Sequence, residues 1–75
     1  MRTEEKIVDA EELAPGDVIR RRGRQMRIMH NLPAPAQPGR RLLIWRDLHA
    51  PEPLGYGDGA FPPDWPFRRV ARGLH

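Results

Sequence analysis

The sequence predicts a small, mostly β domain in which five short strands curl into a barrel. Apolar and polar residues alternate through residues 24–30, which is typical of a strand with one covered face. Turn-forming residues, Pro15–Gly16 and Gly23 among them, divide the chain into short segments. The chain has 75 residues, so it forms one domain, and a domain of this size hides only about 60% of its unfolded surface. The core is therefore expected to be small.

The turn signals delimit the predicted strands, which are residues 5–8, 17–22, 24–30, 40–47 and 67–72. Between the first two strands, Asp9 and Glu12 have the spacing of a capping box, which predicts a single helical turn ending by Pro15. Gly23 marks a tight hairpin. The uninterrupted apolar run Leu42–Trp45 is typical of a central strand that is covered on both faces.

The remaining segments are predicted to lack regular structure. Residues 31–39 contain three prolines, and residues 50–66 combine prolines with glycines. Both are expected to be loops, because proline cannot donate a hydrogen bond to a sheet. Within the second loop, Gly55–Gly59 is interpreted as a flexible turn, since its spacing is not that of a dinucleotide-binding fingerprint. Residues 1–4 are expected to fray. Residues 1–75 as a whole are predicted to form one domain, a small barrel.

The predicted core follows from the apolar positions of these strands. Each predicted strand directs alternate side chains to the covered face, and the helical turn adds one leucine. The predicted set is Val8, Leu13, Val18 or Ile19, Met26, Ile28, Leu43, Trp45 and Val70.

The stretch Leu13-Ala14-Pro15-Gly16-Asp17-Val18-Ile19 resembles a motif at the start of a strand in many SH3-like barrels, including translation-factor and KOW-type domains. In this motif the Pro-Gly pair makes the turn, Asp17 caps it, and the next two residues enter the core. The resemblance implies an SH3-like five-stranded barrel. It assigns no functional residue.

The composition excludes most kinds of catalytic machinery. The chain has no serine and no cysteine, and its single threonine and single lysine, Thr3 and Lys6, lie in the polar N-terminal stretch. Serine, cysteine and lysine nucleophiles are thereby excluded. The three histidines, His30, His49 and His75, lack the spacing of metal ligands. We therefore expect a protein that is not an enzyme and that has no catalytic residues, metal or cofactor.

Charge is distributed in blocks. Residues 20–46 hold eight arginines and no acidic residue, whereas residues 1–19 and 47–67 each carry a net charge of −4. Arginine accounts for twelve of the thirteen basic residues, and its planar guanidinium binds phosphate through two hydrogen bonds. This pattern suggests a module that binds the RNA or DNA backbone. The candidate contacts are Arg20, Arg21, Arg22, Arg24, Arg27, Arg40 and Arg41.

Two other interpretations stay open. A GC-rich genome would produce the same bias toward arginine, and charges along a hairpin also protect an edge strand from aggregation. Alternatively, the chain is a protein-interaction module, able to self-associate, that docks a partner on Tyr56, Phe61 and Trp65, although these rings would equally serve to close the core. The absence of cysteine and of a membrane-spanning apolar run leads us to expect a cytoplasmic protein.

Overall fold

The computed structural model describes residues 3–51 and 53–73 and confirms the prediction of a mostly β chain. Its six antiparallel strands are β1 (Thr3–Asp9), β2 (Val18–Arg21), β3 (Arg24–Pro33), β4 (Arg41–Asp47), β5 (Tyr56–Phe61) and β6 (Pro66–Ala71). They form one sheet in the order β1-β6-β2-β3-β4-β5. Within the described ranges, the helical content is a single 3₁₀ turn, Ala10–Glu12.

The prediction of a five-stranded barrel is not supported. In the described residues the sheet has six strands and does not close, with β1 and β5 at its two edges. The additional strand, β5, lies inside the 50–66 segment that was predicted to be a loop, and β3 continues to Pro33 in the other predicted loop. Of the residues predicted to fray, 1 and 2 lie outside the described part of the chain, whereas β1 begins at Thr3.

The glycines of β5 explain why the sequence suggested a turn. Gly59 lies within the strand, and a Cβ added to it would lie 2.9 Å from Cε2 of Phe61. A glycine inside a strand often marks such a close approach by another group. This residue therefore leaves room for an aromatic ring and does not form the flexible turn that was predicted.

The turn before β2 forms as predicted, but the cap of the helical turn does not. Gly16 has a φ of +95°, and Oδ2 of Asp17 accepts a hydrogen bond from the Ala14 N–H at 3.0 Å. Asp9 precedes the 3₁₀ turn but makes no side-chain capping bond. With only three residues in the turn, the capping-box geometry of an α-helix has no room to form.

The main core lies on one face of the sheet, here called the inner face. Its buried side chains are Val8, Ala10, Leu13, Ile19, Ile28, Leu43 and Phe67. Met26, Trp45 and Phe61 are partly buried against them. The predicted core is confirmed in outline, although Ala10 was missed and the predicted Val18 and Val70 are buried in a separate cluster with Ala71.

Two segments cover the inner face. The 3₁₀ turn is tied to the β5–β6 connection, because the Ala10 N–H donates to the Trp65 carbonyl and the Glu11 N–H donates to the Pro63 carbonyl, both at 2.9 Å.

The rings of Phe61 on β5 and Phe67 on β6 meet edge to face, with centroids 5.0 Å apart. Since β5 and β6 are not neighbours in the sheet, this contact shows that the sheet curls around its core.

A buried carboxylate ties the end of the described chain to the turn before β2. Asp17 is 1% exposed, and its Oδ1 accepts a hydrogen bond from the Gly73 N–H at 2.8 Å. Nη1 of Arg69, also buried, lies 3.7 Å from Asp17 Oδ2. A buried charge is tolerated only when it is paired and hydrogen-bonded, so this cluster is a structural element of the fold.

Candidate functional site

The face opposite the core, here called the outer face, carries a row of arginines. On β6, Phe67 and Arg69 are buried, and because side chains alternate along a strand, Arg68 between them points to the other face. The same alternation next to the inward-facing Ile19, Ile28 and Trp45 places an arginine of β2, β3 and β4 on this face. The row consists of Arg68 on β6, Arg20 on β2, Arg27 on β3 and Arg46 on β4.

The register of the sheet places these arginines directly opposite one another. Arg20 is the cross-strand partner of Arg68, and Arg27 is the partner of Arg46. Directly opposite residues have Cβ atoms about 4.5 to 5.5 Å apart, and like charges in this arrangement are destabilising. The outer face thus holds two pairs of like charges on four adjacent strands.

Acidic side chains neutralise only part of this charge. Nη1 of Arg20 forms an ion pair with Oε1 of Glu5 at 2.9 Å, and both side chains are about half exposed. Such a surface pair contributes at most about 1 kcal/mol. Among the described residues, Arg27 and Arg68 have no ion-pair partner. The arginine row therefore keeps a net positive charge.

A third pair of arginines lies at the end of the β2–β3 hairpin and points to the inner side. Arg21 is opposite Arg24, and its guanidinium lies over the rings of Trp45 and Phe61, 5.7 and 5.2 Å from their centroids. Nε of Arg24 donates to a carboxylate oxygen of Asp47, and this hydrogen bond lowers the pKa of that carboxyl. Both arginines are thus engaged within the chain.

The other predicted arginines are scattered. Arg22 is exposed in the hairpin turn with a φ of 54°, and Arg40 donates to the Ala60 carbonyl at 3.3 Å. Arg41 is half-buried and donates to the side-chain and main-chain oxygens of Asn31, at 2.9 and 3.0 Å. These three do not extend the outer-face row.

The structure therefore divides the predicted arginine set. Of its seven members, Arg20 and Arg27 lie on the outer face, and two outer-face arginines, Arg46 and Arg68, were missed. The alternation around Arg68, between the apolar Phe67 and the buried Arg69, is a signal that the sequence contains. This alternation is hard to recognise in the sequence because the buried neighbour, Arg69, is charged like Arg68.

The aromatic residues proposed as a partner site do not share one surface. Tyr56 is 54% exposed and is the cross-strand partner of Arg46, at the β5 end of the outer face. Phe61 packs against the inner-face core. The ring centroid of Trp65 lies 6.4 Å from that of Phe61, on the same side of the sheet. Only Tyr56 therefore adjoins the arginine row.

The outer face also contains an open concavity of about 300 Å³ beside the β2–β3 hairpin. Its floor is formed by the apolar residues Val18, Leu48, Val70 and Ala71. Side chains of the arginine row stand at its rim. Its volume is at the lower end of the ~300–1,000 Å³ that is typical of small-molecule clefts.

The described residues contain neither a metal-binding cluster nor a helix able to cross a membrane. No group of three or more His, Asp or Glu side chains lies close enough to hold a metal ion in those ranges. Likewise, no helix in them is long and apolar enough to span a bilayer.

Comparison with protein-family models, curated proteins and solved structures finds no match for this chain.

Proposed function

We propose that this protein is a non-enzymatic module that binds the phosphate backbone of RNA or DNA on the outer face. The proposal rests on one observation, which is that two cross-strand pairs of arginines lie on adjacent strands. These pairs are Arg20 with Arg68 and Arg27 with Arg46. Repulsion within such pairs is unfavourable in the free protein. A polyanion relieves the repulsion and accepts charge-assisted hydrogen bonds from each guanidinium.

The dimensions of the row support a nucleic-acid ligand. Neighbouring strands lie about 4.8 Å apart, so the four strands place the arginines along roughly 14 Å. In duplex DNA each strand advances about 3.4 Å per nucleotide, so the row is about as long as four nucleotides. Tyr56 at the end of the row exposes a ring on which a base can stack.

The decisive experiment compares two double variants that remove the same charge from different places. Arg27→Gln with Arg68→Gln changes the outer face, whereas Arg22→Gln with Arg40→Gln changes the hairpin turn and the loop before β4. Binding to a labelled twelve-nucleotide oligomer would be measured by fluorescence anisotropy at several salt concentrations. The outer-face variant should lose about 1.4 to 1.8 units of the log–log salt slope, since each phosphate contact contributes ~0.7 to 0.9. The control variant should keep the wild-type slope.

Two results would contradict the proposal. Equal losses in both double variants would mean that only net charge matters, with no outer-face site. Wild-type affinity no better than about 10⁻⁴ M at physiological salt would be the weak end of nonspecific binding and would exclude the function altogether.

A protein partner is the second candidate, and one observation favours it. Trp65 is 48% exposed and lies beside Phe61 on the inner-face side of the sheet. Tryptophan is enriched among the residues that dominate protein interfaces. We would test this by pull-down with wild-type protein and with Trp65→Ala. A partner lost with Trp65→Ala and kept with the outer-face double variant would support this second function.

A further inference from the structure

The geometry of the concavity points to a more specific ligand: we infer that it holds one unpaired nucleobase, which makes the module selective for single-stranded nucleic acid. The inference rests on the proposed function, because the neighbouring arginines must hold the backbone of the same strand. It adds a second base-binding position to a surface on which the arginines contact phosphates and Tyr56 exposes a ring to one base.

The concavity lies where the pairing of β2 with β6 is irregular. Val18 pairs with Ala71 and Ile19 pairs with Arg69, which leaves Val70 as an extra residue in β6. An extra residue of this kind is a β-bulge, which bends its strand and increases the local twist. The hollow above the bulge is floored by small and β-branched side chains, and Val18, Val70 and Ala71 are each less than 8% exposed. It is therefore a fixed feature of the fold.

The rim combines one amide with charged side chains. Gln25 is the cross-strand partner of Arg20, and Arg27 is the partner of Val18, so polar groups stand over two sides of the apolar floor. A glutamine carboxamide offers both donors and an acceptor, which suits the mixed edge of a nucleobase. Glu5, also at the rim, is paired with Arg20. We therefore place the phosphate of the bound nucleotide on Arg27, away from that carboxylate.

Charge complementarity selects a nucleotide over an uncharged apolar ligand. The apolar floor favours burial of a flat, weakly polar group. Arg20 and Arg27 of the arginine row stand at the same rim, and Arg46 continues the row onto β4. A base attached to a phosphate chain satisfies both features. A base inside a duplex cannot reach the floor unless it is flipped out of its stack, which costs a few kcal/mol. The concavity therefore discriminates against paired nucleic acid.

The test uses three ligands of equal length: a single-stranded oligomer, the same backbone made entirely of abasic residues, and a duplex. Wild-type protein should bind the single strand at least tenfold more tightly than either of the others. Ala71→Leu fills the floor of the concavity and should narrow the difference in affinity between the single strand and the abasic backbone, because only stacking on Tyr56 would remain. Ala60→Leu is the matched control, because residue 60 is opposite Leu42 on the same face, outside the concavity, and it should keep that difference.

The possible failures are distinguishable. If the abasic backbone binds wild-type protein as tightly as the base-containing strand, the base subsite is wrong and the phosphate-binding function stands. If no oligomer binds, the proposed function itself fails. If Ala71→Leu fails to fold, a mononucleotide added to the wild-type protein tests the subsite directly, and it should shift the methyl NMR signals of Val18 and Val70. Unshifted signals at saturating mononucleotide would also overturn the subsite.

Discussion

The indole of Trp45 occupies the space that a side chain at residue 57 would need. Trp45 and Gly57 are cross-strand partners in β4 and β5, and a Cβ added to Gly57 would lie 2.7 Å from Nε1 of the indole. Because Trp45 packs against the inner-face core, this contact joins the edge strand β5 to the interior of the protein.

Gly57→Ala should therefore destabilise the protein by about 1 to 3 kcal/mol, as overpacking of a core does. Chemical denaturation of the wild type and the variant would measure the difference. In a Trp45→Leu background the clash is removed, and the same substitution should have little cost or even stabilise the strand, since alanine is favoured over glycine by ~0.5 to 1 kcal/mol within regular structure. An equal cost in both backgrounds would show that the indole is not the cause.

The buried cluster around Asp17 predicts a larger effect. Asp17→Ala removes the acceptor of the Ala14 and Gly73 N–H groups, and it removes the carboxylate that lies 3.7 Å from Nη1 of the buried Arg69. Breaking a buried pair in this way costs about 3 to 5 kcal/mol, which is enough to unfold a small domain of marginal stability. Far-ultraviolet circular dichroism with thermal melting would detect it. The exposed Asp64→Ala is the control, and a similar loss there would argue against a specific role for the cluster.

The hydrogen bond from Arg24 makes part of the stability dependent on pH. It is the main reason that the pKa of Asp47 lies below the ordinary value of 3.8, and the His49 N–H adds to it. A carboxyl whose pKa is lower in the folded chain stabilises the fold at pH values above its unfolded pKa. That contribution is lost as the pH falls through the folded pKa.

Arg24→Gln should accordingly raise the pKa of Asp47 toward its ordinary value, measured by carbon-13 NMR titration of the side-chain carboxyl. Arg22→Gln removes the same charge two residues away and should leave the pKa of Asp47 nearly unchanged. Equal shifts in the two variants would mean that the hairpin acts through its overall charge and not through this hydrogen bond.

The hairpin turn predicts a stabilising substitution. Arg22 and Gly23 both have positive φ, 54° and 75°, as in a type I′ turn, for which Asn-Gly is strongly preferred. Arg22→Asn should raise the free energy of unfolding by up to about 1 kcal/mol, because asparagine adopts the left-handed conformation at lower cost. Arg40→Asn removes the same charge where φ is not positive and should have no such benefit. Equal stabilisation by both would contradict the conformational explanation.

Local sequence predicted those elements whose signal lies within a few residues. The β2–β3 hairpin follows from alternation around Gly23, and the central strand β4 from its apolar run. In contrast, β5 could not be predicted, because Gly57 resembles a turn residue until Trp45 of a neighbouring strand is placed beside it. The structural reason for that glycine lies outside its own segment.

The candidate site was harder to predict than the fold because it depends on register. Arg20 and Arg27 could be proposed from composition, but the pairing of Arg20 with Arg68 is set by strand order and by the bulge at Val70. A shift of one residue would move every side chain of a strand to the other face. Composition alone cannot determine which arginines share a surface.

Because of the opposed arginines, the stability of the folded chain should depend on the salt concentration and on bound ligand. Dissolved salt screens repulsion between exposed charges, so added salt should protect the free protein against unfolding. Under the proposed function, the same salt would weaken binding to the nucleic-acid backbone. A ligand that binds only the native form adds roughly 2.7 kcal/mol at one hundred times its Kd. Under the proposed function, the chain is most susceptible to proteolysis in dilute, low-salt solution without a polyanion. Occupancy of the outer face would then set the lifetime of the protein.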